Sequence, residues 1–287
     1  MDLFLQTWAN AVVASGIYAI IAVGLSIAFG VMRMANLAHG EFYMIGAYVV
    51  WLFYAVEGWP FPVAVLMAML IVGALGLATE RLIFRPLRGQ IVSGYIATGG
   101  LMWVLQVAMG RLFGVGLSKP ISPAYPGALT VFGVSVGWQK LLIVPVCLVM
   151  MGALWFFLHR IKMGRALRAS AQDSEAAALQ GISINRMTAL AMVIGSVFAG
   201  VAGAMMAPVY PITPYMGHAV ILVAFIVVIV GGMASIEGTM IAAIIFGFLY
   251  TVITTLADGV LASIIAVLVM LVVLAFKPMG LLGKVKA

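Results

Sequence analysis

Charged residues are scarce in this chain. Asp, Glu, Lys and Arg make up 8% of its 287 residues, and the mean hydropathy is +1.23. Soluble domains average roughly 25% charged residues, so the composition excludes a soluble globular protein. One membrane span takes about 20 mostly apolar residues. The length therefore predicts a single polytopic membrane domain over residues 1–287, with about eight to ten spans.

Residues that support chemistry are equally sparse. The one cysteine, Cys147, excludes an internal disulfide. The sequence has no HExxH or GxSxG motif and no Cys/His cluster at metal-ligand spacing. The three histidines lie on separate segments, at His39, His159 and His218. We therefore predict no catalytic residue and no metal site, and we expect that the chain is not an enzyme.

A nucleotide-binding motif is also missing. The tail sequence GLLGK has the wrong spacing for a phosphate-binding loop, and Val285 follows its lysine. We expect no cofactor on this chain, so an ATP-driven process would need a nucleotide-binding partner. The net charge of +7 does not indicate a nucleic-acid partner, because membrane proteins gather Lys and Arg in their cytoplasmic loops.

Apolar runs of nearly spanning length fill most of the chain. They predict an all-α membrane helix bundle with about nine spans. The sixth run has a small residue at every fourth position, a pattern by which membrane helices pack closely, so we expect this run at the centre of the bundle. The runs are 10–31, 37–56, 61–80, 93–113, 140–158, 187–207, 218–235, 239–256 and 260–276, and the small residues are Ala191, Gly195, Ala199, Gly203 and Ala207.

The basic residues predict the orientation of the bundle. Twelve of the fifteen Lys and Arg residues lie on one alternating set of loops, which the positive-inside rule assigns to the cytoplasm. The N-terminus is then outside and the C-terminus inside. The longest outer segment, 114–139, contains a partly alternating sequence that fits a short hairpin, and a second outer segment, 207–217, carries three prolines. Both segments are candidate docking surfaces or simple helix connections.

The longest polar segment, 165–186, lies on the predicted cytoplasmic side. Within it, Asp173 or Ser174 fits a helix N-cap, Glu175 suits the first turn, and Gly181 fits the residue after the helix. The pattern predicts a short helix of about two turns. Such a helix is either a rigid surface for a partner or an ordinary interfacial amphipathic helix.

Polar residues and paired glycines within or near the spans are the candidates for a translocation pathway. A buried carboxylate is costly in a membrane, so it often has a function; the acids here also fit helix caps near the inner interface. Paired glycines permit either a broken helix or close helix packing. The candidates are Asn36, His39, Glu41, Thr98, Gly99, Gly100 and Glu237.

Several motifs together resemble the LivH-type permeases of high-affinity branched-chain amino acid importers. The sequence EAA followed by Gly181 is similar to the EAA loop of bacterial ABC importer permeases. The resemblance extends over essentially the whole chain. It includes Asn36-Leu37-Ala38-His39-Gly40-Glu41 with the following Met44-Ile45-Gly46, Met163-Gly164-Arg165-Ala166, the stretch from Gly231 to Gly238, and the tail from Lys277 to Gly283.

The resemblance implies a subunit of the bacterial inner membrane with several partners. These would be a LivM-type permease subunit, two ATPase subunits that bind ATP and Mg, a periplasmic substrate-binding protein, and the surrounding membrane lipid. A coupling helix in the cytoplasmic loop 159–187 would contact the ATPase through Asp173, Glu175, Ala176, Ala177 and Gly181. The binding protein would release substrate near 114–139 and 207–217.

Other transport classes remain open at the level of the sequence. Similar permeases also occur in systems for urea, short amides or carboxylates. A secondary transporter driven by an ion gradient would work without partners, but the few charges in the spans argue against it.

Overall fold

The computed structural model describes residues 2–131 and 134–283, which are mostly helical. These residues form eleven α-helices and one β-hairpin. The elements in chain order are α1 (Asp2–Met32), α2 (His39–Val50), α3 (Phe61–Thr79), α4 (Ile91–Phe113), β1 (Ala128–Val131), β2 (Val134–Gly137), α5 (Trp138–Arg160), α6 (Lys162–Gln172), α7 (Ser174–Leu179), α8 (Ile184–Met206), α9 (Met216–Gly231), α10 (Ile236–Leu256) and α11 (Gly259–Phe276).

Each predicted apolar run is helical in the structure. Helix α2 continues as a π-helical segment, Trp51–Val56, and α3 continues as another, Glu80–Phe84. Seven helices of the described chain are long and apolar enough to cross a membrane, and α9 is a shorter apolar helix. The chain is thus a multi-pass helical membrane protein, and nine spans remain our prediction.

The paired glycines of the fourth run do not break its helix. Helix α4 continues through Gly99 and Gly100, so the broken helix that the pair permits is not formed. In apolar surroundings the helical hydrogen bond is the best partner available to each backbone group, which outweighs the cost of about 1 kcal/mol for a helical glycine. The pair Gly231 and Gly232 differs, because α9 ends there and Gly232 has a φ of 104°.

Helix α8 lies at the centre of the bundle, as the small-residue pattern predicts. A Cβ atom on Gly195 would lie 2.6 Å from the Gly24 carbonyl oxygen of α1. Gly46 of α2 lies so close to the Gly200 carbonyl that a Cβ atom would not fit, and all five small residues of the pattern are buried. The close approach of backbones fixes α8 against α1, α2 and α3.

The loops collect at two ends of the bundle. The first, here called the basic end, carries loops 33–38, 85–90, 161–183, 232–235 and 277–283. The second, called the opposite end, carries loops 57–60, 114–137, 207–215 and 257–258. Contacts at the basic end include a 3.4 Å hydrogen bond from Arg33 Nη2 to the Gln172 carbonyl oxygen, so the loop after α1 contacts the segment between α5 and α8.

The opposite end contains the predicted hairpin. Strands β1 and β2 pair antiparallel, with Ala128 opposite Gly137 and Val131 opposite Val134, and residues 132–133 between them lie outside the described chain. An isolated bridge pairs Lys119 with Ile212. The two outer segments singled out in the sequence therefore lie against each other.

Candidate coupling helix and translocation residues

The N-terminus of α7 is capped by Asp173, one of the two predicted capping residues. Its backbone is extended, and its Oδ1 atom accepts hydrogen bonds from the backbone N–H groups of Glu175 (2.9 Å) and Ala176 (3.0 Å). These bonds satisfy two donors that have no partner within the helix. The carboxylates of Asp173 and Glu175 also suit the positive end of the helix dipole.

The C-terminus of α7 is closed by Gly181. Its φ is +81°, a conformation that glycine adopts without strain. The Gly181 N–H donates to the Ala178 carbonyl (2.9 Å), and the Ile182 N–H donates to the Ala177 carbonyl (3.1 Å). The predicted helix therefore exists with both predicted caps, and its shape is set by its own residues.

The side chains of α7 divide into a buried and an exposed set. Ala177 is buried against its own chain, and its part in the contact with an ATPase stays a prediction. Glu175 and Ala176 are exposed. Leu179 is 87% exposed, and the sequence analysis did not select it. Leu179 is the one large apolar residue of the sequence SEAAAL, and this is the signal that could have identified it.

Helix α6 holds α7 to the bundle and was not predicted. Its apolar side is buried through Gly164, Leu167 and Ser170. Gly164 lies so close to the Phe157 carbonyl of α5 that a Cβ atom would not fit. Buried positions three residues apart, with the charged Arg165 and Arg168 exposed between them, follow the helical period that identifies an amphipathic helix.

Asn36 and His39 shape the turn into α2. Asn36 Oδ1 accepts a hydrogen bond from the Ala38 N–H at 3.0 Å. His39 Nε2 lies 3.2 Å from the Ile21 carbonyl oxygen of α1. Both side chains are buried. Their contacts fit a structural turn, one of the two alternatives for these residues.

Glu41 bonds to Gln106 across the boundary between α2 and α4. Gln106 Nε2 donates to Glu41 Oε1 at 2.8 Å, and both residues are buried. The same boundary, here called the α2–α4 seam, includes the stacked rings of Tyr48 and Phe113, with centroids 4.8 Å apart. In the sequence, a polar amide within an otherwise apolar run is the feature that could have identified Gln106 as a candidate functional residue.

The other α4 candidates occupy different sides of the helix. Thr98 is buried, and its hydroxyl donates to the Gly94 carbonyl at 2.9 Å. A Cβ atom on Gly99 would lie 3.6 Å from Leu37 Cδ1, at the α2–α4 seam. Gly100 is exposed, with no neighbour within 4 Å of such an atom. The structure thus brings Gly99, but not Gly100, close to the loop that leads into α2, while Thr98 is buried with its hydroxyl bonded within α4.

Glu237 is separate from Glu41. It lies exposed in the first turn of α10 at the basic end, where Ser235 Oγ accepts a hydrogen bond from the Gly238 N–H at 3.1 Å. Nearby, the Leu281 N–H donates to the Val230 carbonyl at 2.7 Å. The motif from Gly231 to Gly238 is therefore packed against the tail motif that was also singled out in the sequence.

A small cavity of about 210 Å³ opens at the opposite end of the bundle. Its walls combine the two outer segments, through Pro123, Tyr125, Pro208 and the first turn of α5. In that turn Lys140 Nζ donates to Asn10 Oδ1 at 3.2 Å. At either end, the described residues contain no group of three or more His, Cys, Asp or Glu that could hold a metal ion.

The fold and its polar sites define a multi-pass membrane protein. Residues 7–274 match the family described as branched-chain amino acid transport system / permease component. The chain belongs to this family of permeases. The resemblance to LivH-type permeases is thereby confirmed.

Individual relatives agree with the family. The chain is 32% identical over 296 residues to the high-affinity branched-chain amino acid transport system permease protein LivH of Escherichia coli (strain K12), covering 98% of this chain and 96% of that protein. It is 29% identical to the LivM permease protein of the same strain, covering 80% of this chain and 59% of LivM. Its fold is similar to a chain of PsaBC from Streptococcus pneumoniae in complex with Fab, with a TM-score of 0.52, 13% identity, and coverage of 94% and 91%.

Proposed function

We propose that the chain is the membrane-spanning subunit of an ATP-driven importer that moves branched-chain amino acids across the bacterial inner membrane. The observation that carries this proposal is α7, a helix capped at both ends by Asp173 and Gly181, with Leu179 exposed. A rigid helix with an exposed apolar side chain suits a groove on a protein partner. The family and the similarity to LivH support the substrate class.

The orientation follows from charge. With the basic end in the cytoplasm, as the positive-inside rule requires, α7 faces the side where ATP is available. Two ATPase subunits, which carry ATP and Mg, would then contact α7 through Glu175, Ala176 and Leu179. The periplasmic binding protein would dock at the opposite end, over the cavity between the two outer segments.

The second membrane subunit would be a LivM-type permease. The similarity between this chain and LivM supports a pair of related subunits, since related folds can pair about an approximate two-fold axis. Helices α4 and α11 bury few of their spanning residues, and such apolar surface needs a partner subunit or lipid to cover it. We assign the remaining apolar surface to lipid.

ATP binding would shift the bundle between two states through α7. A ligand changes such an equilibrium only if it contacts the two states differently, and α7 is the element that an ATPase would contact. For the pathway we propose the α2–α4 seam, with Glu41, Thr98 and Gly99 beside it. Glu237 and Gly100 lie away from this seam.

Reconstitution tests the proposal. Vesicles that contain this chain, the LivM-type subunit, the ATPases and the binding protein should take up leucine, isoleucine and valine only with ATP. Ligand-induced shifts in the melting of the cognate binding protein should favour the same amino acids. Melting shifts with urea, amides or other carboxylates instead would contradict the proposal that the substrates are branched-chain amino acids. Uptake by this chain alone, driven by an ion gradient, would contradict the proposal that it is a subunit of an ATP-driven importer.

A further inference from the structure

A buried carboxylate lies at the basic end, outside every site described above. Glu80 begins the π-helical continuation of α3, and its side chain has 0% relative exposure. Arg85 approaches it with two nitrogens, Nη2 at 2.9 Å from Oε2 and Nε at 3.3 Å from Oε1. Arg88 Nη2 is 3.8 Å from Oε1. A two-nitrogen contact fixes the relative position of the groups more firmly than a single contact.

The side chains of Glu80 and Arg88 also contact residues of α8. Thr188 Oγ1 donates to Glu80 Oε1 at 2.8 Å and accepts from Arg88 Nη2 at 3.0 Å. Arg88 Nη1 donates to Asn185 Oδ1 at 2.6 Å. Asn185 and Thr188 lie in the first turn and a half of α8. The five residues, here called the Glu80 cluster, therefore connect the end of α3 to the start of α8.

The start of α8 is also the element that follows α7. Only residues 180–183 separate the two helices, and these are closed by backbone bonds: the Ile182 N–H donates to the Ala177 carbonyl (3.1 Å), and the Met187 N–H donates to the Ser183 carbonyl (3.2 Å). A displacement of α7 cannot be absorbed by a long flexible loop. It must reach Asn185 and the Glu80 cluster.

Below the cluster, α3 and α8 are closely packed. Gly76 lies against Ser196, and a Cβ atom on Gly200 would be 2.9 Å from the Val72 Cβ atom. Closely packed helices have discrete arrangements rather than continuous sliding. A polar network at the end of such a helix pair can select one of these arrangements. Buried polar groups can have this role even where their net contribution to stability is small.

We infer that the Glu80 cluster is the joint that transmits displacement of α7 to α3 and α8, with Glu80 as its positioning residue. The inference rests on the proposed function, because it assumes that an ATPase moves α7. Arg85 and Arg88 keep side-chain exposures of 38% and 40%, so their contacts with Asn185 and Thr188 can exchange for water when the joint rearranges.

The test measures coupling in the complete reconstituted importer. Glu80→Gln removes the charge that both arginines contact, and Thr188→Val removes one hydroxyl with little change of volume. We expect both variants to hydrolyse ATP in response to the loaded binding protein. Substrate taken up per ATP should fall at least about fivefold, the lower range of allosteric coupling. The matched control is Arg81→Gln, an exposed charge in the same π-helical segment, which should keep the wild-type ratio.

A reduced ratio in either variant, with a normal ratio in Arg81→Gln, supports the joint, and Thr188→Val alone is sufficient if Glu80→Gln fails to assemble. A normal ratio in Thr188→Val and in any assembled Glu80→Gln complex overturns it, since a structural role alone would lower the yield of the complex and leave the ratio unchanged. If the wild-type complex shows no ATP-driven uptake, the proposed function fails, and the inference fails with it.

Discussion

Helices α7 and α8 are neighbours in the chain but are stabilised in different ways. Helix α7 owes its shape to its own ends, through the Asp173 side chain and the left-handed Gly181. Helix α8 depends on its surroundings, because its glycines contact the backbones of other helices. One helix is defined by local chemistry and the other by packing.

This difference suits the two helices to different tasks. A locally stabilised helix keeps its shape while it moves as a body, so it can follow a partner. A helix packed on three sides cannot move without its neighbours. A force that enters at α7 would therefore be carried into the bundle by α8. Changes to the packed glycines of α8 should affect folding, and changes to α7 should affect transport.

The largest effect is expected for Gly195→Leu. A Cβ atom there would lie 2.6 Å from the Gly24 carbonyl oxygen, and overpacking of this kind costs about 1–3 kcal/mol or more. We predict a marked loss of monodisperse protein after detergent extraction and a lower melting temperature. The same substitution at the exposed Gly100 is the control and should leave both properties near those of the wild type. Equal losses at both positions would contradict the packing of α8.

An intermediate effect is expected for Gly181→Val. A β-branched residue at a φ of +81° introduces strain of about 1–3 kcal/mol, which here falls on the end of α7. The protein should remain in the membrane and melt near the wild-type temperature, while ATP-driven uptake should fall about tenfold, equivalent to about 1.4 kcal/mol. Gly181→Asn should recover most of the uptake, because Asn tolerates this conformation. Equal uptake by the Val and Asn variants would rule out a backbone effect.

The smallest effect is expected for Asp173→Ala. Loss of an N-cap costs about 1 kcal/mol, and here it should only fray the first turn of α7. We predict normal melting and a reduction of uptake of about two- to fivefold, consistent with that energy. Asp173→Asn keeps an acceptor oxygen, so its uptake should lie closer to the wild type. A large drop in melting temperature for Asp173→Ala would show that α7 is not locally stabilised.

Local features of the fold could be predicted from the sequence. The apolar runs identify the helices because a span imposes its length on the sequence. Asp173 and Gly181 identify the ends of α7 because capping involves residues two to four positions apart. The small residues around Gly195 identify the central helix because only small side chains allow such close approach.

Contacts between distant residues could not be predicted. The bond between Glu41 and Gln106 joins residues 65 positions apart, and that between Glu80 and Thr188 spans 108 positions. Neither pair has a spacing pattern, since the partners meet only after the helices pack. Whether Gly99 and Gly100 break their helix could not be predicted for a related reason, since the effect of a glycine pair depends on its surroundings.

The most direct test of the account concerns Leu179 and the partner of α7. The chain has one native cysteine, Cys147, which is buried, so Leu179→Cys in a Cys147→Ala background gives a single reactive site. In the assembled importer, a short reagent with one thiol-reactive and one photoreactive group should link this site to an ATPase subunit, with a yield that changes when ATP binds. No link to an ATPase, together with labelling of the site by a photoreactive lipid, would show that α7 is an interfacial helix and would contradict its role in coupling.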